Sequence, residues 1–512
     1  MKINQKFSII SDLVNDYEDL MVDCKEIETL LANDSNLLHG QINEIENKIN
    51  DLQDNKKLQK IADDLYEIHG YLEKQMKQFK ANKNIEYINN MLEVIKDVKS
   101  NFIELFTYRT IMPKYLDEFN CIGPDCPDTC CKGWKITIDK NTNDKYQNFS
   151  NKKMQKIVAE SIKLMPSEDR DFNSYSYIEL DNDDKCPFLT EKGLCGIQLE
   201  KDHTYLSYTC ATYPRTGINL VNNSLELSAA MSCPEIRRLG LFQERGIEFE
   251  IKENFVFKYN IKQSLNINEV SRQDPKKYLP QMRSFMIWLL QNRDYSITKR
   301  LIMLGLICNK LNNTVLENEA KKIPSLLNNY QNLFKQGVSE EIFAEFNTVD
   351  TTEIKITILN KLLNLKFEAG IDKKYYQVFE KALTSFETDK TSIADNYESY
   401  YKSYYQPVMS QNQYILENYL VNYIFKELFP ISSDKNIFEE YMMLMINYAL
   451  IKMLLIGYAG HHQKLNQELI DEVVGAFSRT IEHDPKYLKQ VYQFIKDNNY
   501  DTLAHMIALI KE

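Results

Sequence analysis

Sulfur is distributed unevenly along this 512-residue chain. Eight of the ten cysteines lie between residues 121 and 233, and Cys24 and Cys308 lie outside that segment. The eight follow the pattern C-x4-C-x3-C-C, then C-x8-C, then single cysteines after 14 and 22 intervening residues. They are Cys121, Cys126, Cys130, Cys131, Cys186, Cys195, Cys210 and Cys233. The pattern predicts a metal-organised segment, because thiolates are ligands of zinc ions and of iron–sulfur clusters.

The cysteine spacing leaves the kind of metal centre open. Zinc ribbons and fingers carry C-x2-C pairs, and this chain has none. The spacings of bacterial and plant-type ferredoxins do not match either. Neighbouring side chains of an extended chain point in different directions, so Cys130 and Cys131 need not bind the same centre. Buried free cysteines are the alternative at single positions, but eight clustered cysteines favour a metal site.

Charge and hydropathy exclude several classes of protein. The formal net charge of -11 argues against a nucleic-acid-binding protein, which would need clustered Lys and Arg. The first twenty residues lack a continuous apolar stretch and do not predict a secretory signal. The apolar run 441–460 contains Asn447 and Lys452, which favours a buried core helix over a membrane span. We therefore expect a cytoplasmic protein without structural disulfides.

Three segments differ in their residue pattern. Residues 1–110 have no proline and carry apolar residues at three- and four-residue steps. They predict a helical hairpin or coiled coil that mediates self-association or, alternatively, docks a protein partner. Residues 111–270 combine cysteines, prolines and short alternating runs, which predict a loop-rich mixed α/β segment that binds metal and carries the catalytic site. Residues 271–512 predict an α-helical domain, so the expected fold class is mainly α.

Four stretches of the chain resemble the flagellin lysine-N-methylases, the FliB family. They are MPKYLDEFNCIGPDCPDTCCKGWKITID (112–139), CPFLTEKGLCGIQ (186–198) with TCATYPR (209–215), ENYLVNYIFKELFP (417–430) and YALIKMLLIGYAG (448–460). The cysteine-containing stretches are also similar to a broader group of proteins described as zinc- or iron-chelating. The two C-terminal stretches narrow the resemblance to the methylases. Family members usually begin near Met112, so the resemblance says nothing about the residues before it.

The resemblance implies transfer of a methyl group from S-adenosylmethionine to lysine side chains of flagellin, by an enzyme whose cysteines hold a [4Fe-4S] cluster. The chain has no G-x-G-x-x-G, which a doubly wound methyltransferase would use to bind the cofactor. This absence favours binding of S-adenosylmethionine at an iron left open by three cysteines. The alternative function is a non-enzymatic zinc- or iron-binding protein-interaction module.

Lysine methylation needs an uncharged amine, whereas an exposed lysine has a pKa of about 10.4. Tyrosines and carboxylates beside an apolar slot can desolvate the amine or accept its proton. From their place near the motifs we predict Tyr208, Tyr213 and Arg215 as catalytic residues. Arg215 is also the predicted cofactor-binding residue, because a guanidinium pairs with a carboxylate or offsets cluster charge; a surface ion pair is the alternative. Further candidates by proximity alone are Tyr205, Asp139 and Glu417.

Overall fold

The computed structural model of the protein describes residues 107–511, apart from residues 172, 202, 223, 257–260, 338–342, 344–350, 372, 388–390 and 432–434. The described chain is mainly helical with two small sheets, as the sequence predicts. The predicted helical hairpin or coiled coil of residues 1–110 lies outside the described residues, except for its last four, which begin a strand.

Eight strands are present in the described chain. They are β1 (Thr107–Pro113), β2 (Ile136–Ile138), β3 (Ile162–Leu164), β4 (Ser176–Ile178), β5 (Arg215–Val221), β6 (Ser224–Ala229), β7 (Phe249–Val256) and β8 (Gln263–Leu265). One sheet has the order β7-β1-β6-β5-β8, and the other has the order β2-β4-β3. In the smaller sheet both neighbours of β4 are antiparallel to it, and Ile136 and Ile162 both lie opposite Ile178.

The chain divides into two compact units. Among the described residues, the smaller unit comprises residues 107–111 and those of Leu220–Glu226 and Ile251–Ser264. Within it β1 runs parallel to β6, with Arg109 opposite Ser224. The larger unit comprises Met112–Asn219, Leu227–Glu250 and Leu265–Glu512.

The cysteine-rich part of the larger unit carries short helices. They are α1 (Tyr115–Glu118), α2 (Lys140–Gln147), α3 (Lys152–Ser161), α4 (Gly196–Glu200), α5 (Tyr208–Thr212) and α6 (Pro234–Ile236), which continues as a π-helical turn, Arg237–Leu241. Asp139, Asn151 and Ser207 cap α2, α3 and α5 by accepting hydrogen bonds from the first backbone N–H groups. These caps fix where each helix begins, because the first N–H groups have no partner inside a helix.

The remainder of the larger unit is helical. Its helices are α7 (Leu279–Leu290), α8 (Ile297–Leu316), α9 (Ile323–Gln336), α10 (Thr352–Ala369), α11 (Lys373–Thr384), α12 (Ile393–Tyr400), α13 (Gln406–Met409), α14 (Tyr414–Lys426), α15 (Ile437–His462), α16 (Gln467–Phe477), α17 (Pro485–Asp497) and α18 (Leu503–Ile510). π-Helical turns join α12 to α13 (Tyr401–Tyr405) and follow α16 (Ser478–Glu482).

Helix α15 is the core helix that the apolar run 441–460 predicts. It is the one helix in the described chain long and apolar enough to cross a membrane, and its whole apolar window is buried inside the protein. A capping box of Asn436 and Glu439 sets its first turn. Near its end it passes close to α11, because a Cβ atom on Gly457 would lie 2.0 Å from the carbonyl oxygen of Ala382. Glycine is therefore required at this helix crossing.

Glu417 of α14 is an internal anchor of the helical part. Its carboxylate is fully buried and binds the guanidinium groups of Arg300, at 2.6 Å, and Arg293, at 2.8 Å. Arg300 is itself 1% exposed and also donates to the carbonyl oxygen of Leu290. A buried charge without a partner is strongly destabilising, so these groups hold α7, α8 and α14 together. Glu417 is thus a structural residue rather than a catalytic candidate.

Replacement of Glu417 tests this anchor. We expect Glu417→Gln to lower the free energy of unfolding by about 3–5 kcal/mol, because Arg300 loses its charged partner while it stays buried. The matched control is Glu398→Gln, which removes an exposed ion pair between Glu398 and Lys402, one helical turn farther along the chain. It should lower the free energy of unfolding by at most about 0.5 kcal/mol. Chemical denaturation followed by circular dichroism measures both. Equal stability of the two variants would show that the buried network does not hold the helices.

Candidate functional site

A cavity of about 620 Å³ lies beside the cysteine-rich segment in the larger unit. Gly133, Trp134 and Thr209 of that segment contribute to its wall. The helical part contributes Tyr375 of α11 and Arg479 of the second π-helical turn, among others. The volume lies in the range of pockets that bind cofactors and drug-sized molecules. The cavity is therefore the candidate ligand site.

Two polar atoms in the cavity wall lack a hydrogen-bond partner among the residues that the structure describes. They are the hydroxyl oxygen of Thr216 and Nε of Arg479, and both atoms are buried. The Arg479 side chain is 7% exposed, and the nearest carboxylate oxygen to its Nε, on Asp128, is 3.6 Å away. Buried polar groups are nearly always paired in folded proteins. These two atoms therefore indicate where a polar ligand would bind.

The π-helical turn Ser478–Glu482 and the two residues after it form much of this wall. Arg479, Thr480, His483 and Asp484 all line the cavity. Glu482 points the other way and is anchored by α14 through the Nζ atom of Lys426, at 2.9 Å, and the hydroxyl of Tyr419, at 2.6 Å. π-Helical turns are frequent at functional sites.

A chain of hydrogen-bonding groups crosses the wall at Ser232. Its hydroxyl lies 3.2 Å from the Tyr213 hydroxyl and 3.0 Å from Nε2 of His483. Burial raises the pKa of Tyr213 above its usual range. Burial, with the nearby charge of Lys426, lowers the pKa of His483 to about 4. Both side chains are therefore uncharged at neutral pH.

The cations around the cavity differ in their partners. Lys366 is paired with Asp484 at 2.5 Å, and Arg479 lies 3.6 Å from the carboxylate of Asp128. Arg215 instead lies over the ring of Phe119, 5.2 Å from its centroid. Within the described part of the chain, no carboxylate is within ion-pair distance of Arg215. Its guanidinium is the cavity cation most available to an anionic group.

Four of the eight clustered cysteines gather at one hydrophobic core. Cys186 belongs to this core, and Cys131, Cys195 and Cys210 pack against it. The backbone N–H of Cys186 donates to the carbonyl oxygen of Cys131 at 2.8 Å. A negative charge on any of the other three thiols would raise the pKa of Cys186, which shows that the four sulfur atoms are close neighbours.

Several thiols accept hydrogen bonds from nearby backbone N–H groups. The donors come from Phe188 to Cys186 and from Ile197 and Gln198 to Cys195. Cys233 accepts from Glu235 and Ile236, and Cys126 accepts from Asp128. Such bonds to sulfur stabilise the thiolate form and tune metal centres.

The thiols differ in how readily they ionise. Burial raises the pKa of Cys210 to about 12 and that of Cys233 to about 11. Cys131 behaves differently, because the thiol of Cys130 donates a hydrogen bond to it and lowers its pKa below the usual value. A bound metal cation would deprotonate the buried thiols as well.

Of the remaining four cysteines, Cys130 is hydrogen-bonded to Cys131 of the first group, and Cys121, Cys126 and Cys233 form a looser second group. Cys121 is exposed, and Cys126 interacts electrostatically with both Cys121 and Cys233. Among the residues that the structure describes, no three Cys, His, Asp or Glu side chains are placed as ligands of one metal ion. A single zinc ion would need its sulfur ligands about 3.8 Å apart, given Zn–S bonds of about 2.3 Å. The thiols are therefore gathered but not arranged around a single ion.

The predicted catalytic residues do not all reach the cavity. Tyr213 and Arg215 line it. Tyr208 does not, because it starts α5 with its backbone N–H bonded to the carboxylate of Asp139. Asp139 has a structural role, since its other oxygen caps α2. Tyr205 packs on the ring of Phe149, away from the cavity lining.

Sequence reasoning missed the helical half of the wall and also Ser232, which lies in the cysteine-rich segment. Tyr375, Arg479, Ser232 and His483 carry no motif spacing, and they reach the cavity only through long-range packing. One signal was present: the run SRTIEHD (478–484) puts charged and polar residues between apolar helices.

Comparisons with known proteins identify the family to which the chain belongs. Residues 283–509 match the family described as FliB lysine N-methylase C-terminal domain. The chain is 37% identical over 128 residues to the Flagellar biosynthetic protein FliU of Salmonella muenchen, a match that covers 24% of this chain and 72% of that protein. The Lysine-N-methylase of Salmonella choleraesuis (strain SC-B67) is 24% identical over 416 residues, which covers 78% of this chain and 98% of the relative.

A second Lysine-N-methylase, from Salmonella typhimurium, is 37% identical over 128 residues, covering 24% of this chain and 30% of that protein. No solved structure matches the chain. The similarity to FliU covers most of that relative, and the similarity to the Salmonella choleraesuis protein covers nearly all of it. The chain therefore belongs to the FliB lysine N-methylase family and is a lysine methyltransferase.

Proposed function

We propose that this enzyme methylates lysine side chains of flagellin, with S-adenosylmethionine as methyl donor and a cysteine-bound [4Fe-4S] cluster. The observation that carries the proposal is the cavity bordered by both the cysteine-rich segment and the π-helical turn. The flagellar name of the FliU relative supports flagellin as the substrate.

The cavity wall suits a ligand that carries a carboxylate, hydroxyl groups and a sulfonium cation. Arg215 is available for the carboxylate, because its contact in the described chain is with an aromatic ring. The unpaired atoms of Thr216 and Arg479 would bond to acceptors of the ligand. The ring of Trp134, whose centroid lies 5.5 Å from that of Tyr213, offers a π face that attracts a cation. S-adenosylmethionine has all three kinds of group.

The wall also favours the uncharged form of an incoming lysine. Tyr213 and His483 are neutral at physiological pH, and the cations Arg215 and Arg479 stand nearby. Low dielectric and like charge both lower the pKa of an amine. His483, whose pKa is about 4, would orient the amine through a hydrogen bond rather than act as its base.

Bound S-adenosylmethionine would supply a methyl group made electrophilic by its sulfonium sulfur. The lone pair of the lysine amine forms the new N–C bond as the C–S bond breaks, and the methylated ammonium then loses a proton to solvent. The chain contributes by orienting the amine, excluding water from it and keeping it unprotonated. Desolvation and orientation of this kind account for large rate effects in enzymes.

We propose that the thiols hold a cluster rather than a single ion. In a cubane cluster each thiolate binds a different iron, so the ligands lie farther apart than around one zinc ion. Four thiols lie at one hydrophobic core, and among the described residues they are not spaced as ligands of a single metal ion. They are those of Cys131, Cys186, Cys195 and Cys210. These four are the proposed ligand set; if only three of them bind the cluster, its fourth iron is left open for S-adenosylmethionine. Stoichiometric zinc is the alternative occupant.

Enzyme assays with purified flagellin test the proposed function. Wild-type protein with S-adenosylmethionine should add methyl groups to flagellin lysines, detected by peptide mass spectrometry. Arg215→Gln should raise the KM for S-adenosylmethionine about 10- to 150-fold, the loss expected for a hydrogen bond to a charged group. The control Arg238→Gln removes an exposed arginine outside the cavity that pairs with Glu235, and it should behave as wild type. Methylation of other proteins but not of flagellin would contradict the proposed substrate.

Metal analysis tests the proposed cofactor. Protein purified without oxygen should be brown and contain about four irons and four sulfides per chain. Cys210→Ala should lose most of the iron, because that thiol belongs to the gathered set. The control Cys308→Ala, in the buried helical core, should keep it. Colourless protein with stoichiometric zinc would overturn the cluster assignment.

A further inference from the structure

Asp128 connects the cysteine-rich segment to the helical wall of the cavity. It lies in the loop between Cys126 and Cys130. Both of its carboxylate oxygens accept hydrogen bonds from the hydroxyl of Tyr375, at 2.8 and 2.9 Å. Its backbone carbonyl accepts one from Nη2 of Arg479 at 3.2 Å. The Asp128 side chain is only 12% exposed, so these bonds are largely shielded from solvent.

Asp128 itself does not line the cavity, but both of its partners do. Arg479 lies over the ring of Tyr213, 5.7 Å from its centroid, and carries one of the two unpaired polar atoms of the wall. A shift of Asp128 would therefore move two wall residues at once. Its influence on a bound ligand is indirect and acts through Arg479 and Tyr375.

The same loop has a second connection to the cavity. The indole N–H of Trp134 donates to the carbonyl oxygen of Cys130 at 2.5 Å, and the Trp134 ring lines the cavity. On the loop side, the backbone N–H of Asp128 bonds to the sulfur of Cys126. The conformation of the loop and the shape of the wall thus depend on shared contacts.

We infer that Asp128 is a positioning residue that couples the cysteine loop, residues 121–134, to ligand binding in the cavity. The inference rests on the proposed function, because it takes the cavity as the site for S-adenosylmethionine. Coupling between two sites is reciprocal. Ligand in the cavity should therefore order the loop, and a loop fixed in place should strengthen ligand binding.

The experiment compares Asp128→Asn with Asp125→Asn in the full-length protein. Asp125 lies in the same loop, is exposed, and has no side-chain contact among the described residues. The probe is S-adenosylhomocysteine, with affinity measured by calorimetry and loop order by hydrogen exchange of residues 121–134. We expect Asp128→Asn to bind about 10-fold more weakly, within the usual range of coupling between sites. It should also lose the ligand-dependent protection of the loop, whereas Asp125→Asn should match wild type.

Tyr375→Phe keeps the test decisive if Asp128→Asn folds poorly, because it removes the hydrogen bonds and leaves the loop sequence intact. It should weaken binding in the same direction, and the double variant should lose less than the two single losses combined. Wild-type affinity and loop protection in Asp128→Asn would overturn the inference.

If wild-type protein does not bind S-adenosylhomocysteine, the proposed function fails. Hydrogen exchange measured without ligand then tests whether Asp128 couples the cysteine loop to the cavity wall. Hydrogen exchange that is faster than in wild type in both residues 121–134 and residues 478–484 of Asp128→Asn supports the coupling. Unchanged hydrogen exchange in residues 478–484 overturns it.

Discussion

The candidate site depends on one buried carboxylate, that of Glu482. It ends the π-helical turn whose other residues face the cavity, and Lys426 and Tyr419 hold it from α14. Burial opposes its ionisation, but these two partners keep the pKa of Glu482 below its usual value. A buried charge that loses its partner is costly, so the turn cannot move away from α14 without a large loss of stability. Arg479 and His483 are thereby fixed in the cavity wall.

Helix α14 also fixes the cysteine-rich segment. Asn422 donates to the carbonyl oxygen of Ala229 and accepts from the hydroxyl of Tyr115, at 3.0 and 2.6 Å. Asn418 donates to the carbonyl oxygens of Leu241 and Gln243. One helix therefore positions both parts of the chain that border the cavity. This explains why the stretch 417–430 is rich in buried polar residues, which would otherwise be unfavourable in a core.

The sequence predicts those features that depend on local patterns. Helical spacing predicts the helical C-terminal part, and Asn447 and Lys452 favour α15 as a core helix, which the structure confirms. The clustering of cysteines predicts a common segment, and the resemblance to the FliB family is confirmed. Tyr213 and Arg215 do line the cavity, although their predicted roles stay predictions.

The other features depend on contacts between residues far apart in the chain. Arg479 and Asp128 are separated by 351 positions, and no periodicity links them. Nearness to the motifs predicts Tyr208 as a catalytic residue, but the capping of α5 by Ser207 starts the helix with Tyr208 outside the cavity lining. Glu417 lies in a family motif, yet two arginines make it structural. Nearness to a motif predicts local structure better than it predicts which way a side chain faces.

The most direct test of the account is to find where the methyl donor binds. Full-length protein irradiated with S-adenosylmethionine, labelled in its methyl group, should become labelled in Ser232 or in residues 133–134, 209–216, 366–375 or 479–484, which border the cavity. Peptide mass spectrometry would identify the labelled positions, and excess unlabelled donor should abolish the labelling. Label confined to residues outside these segments, for example around the smaller cavity near Tyr405 and Lys452, would contradict the central claim.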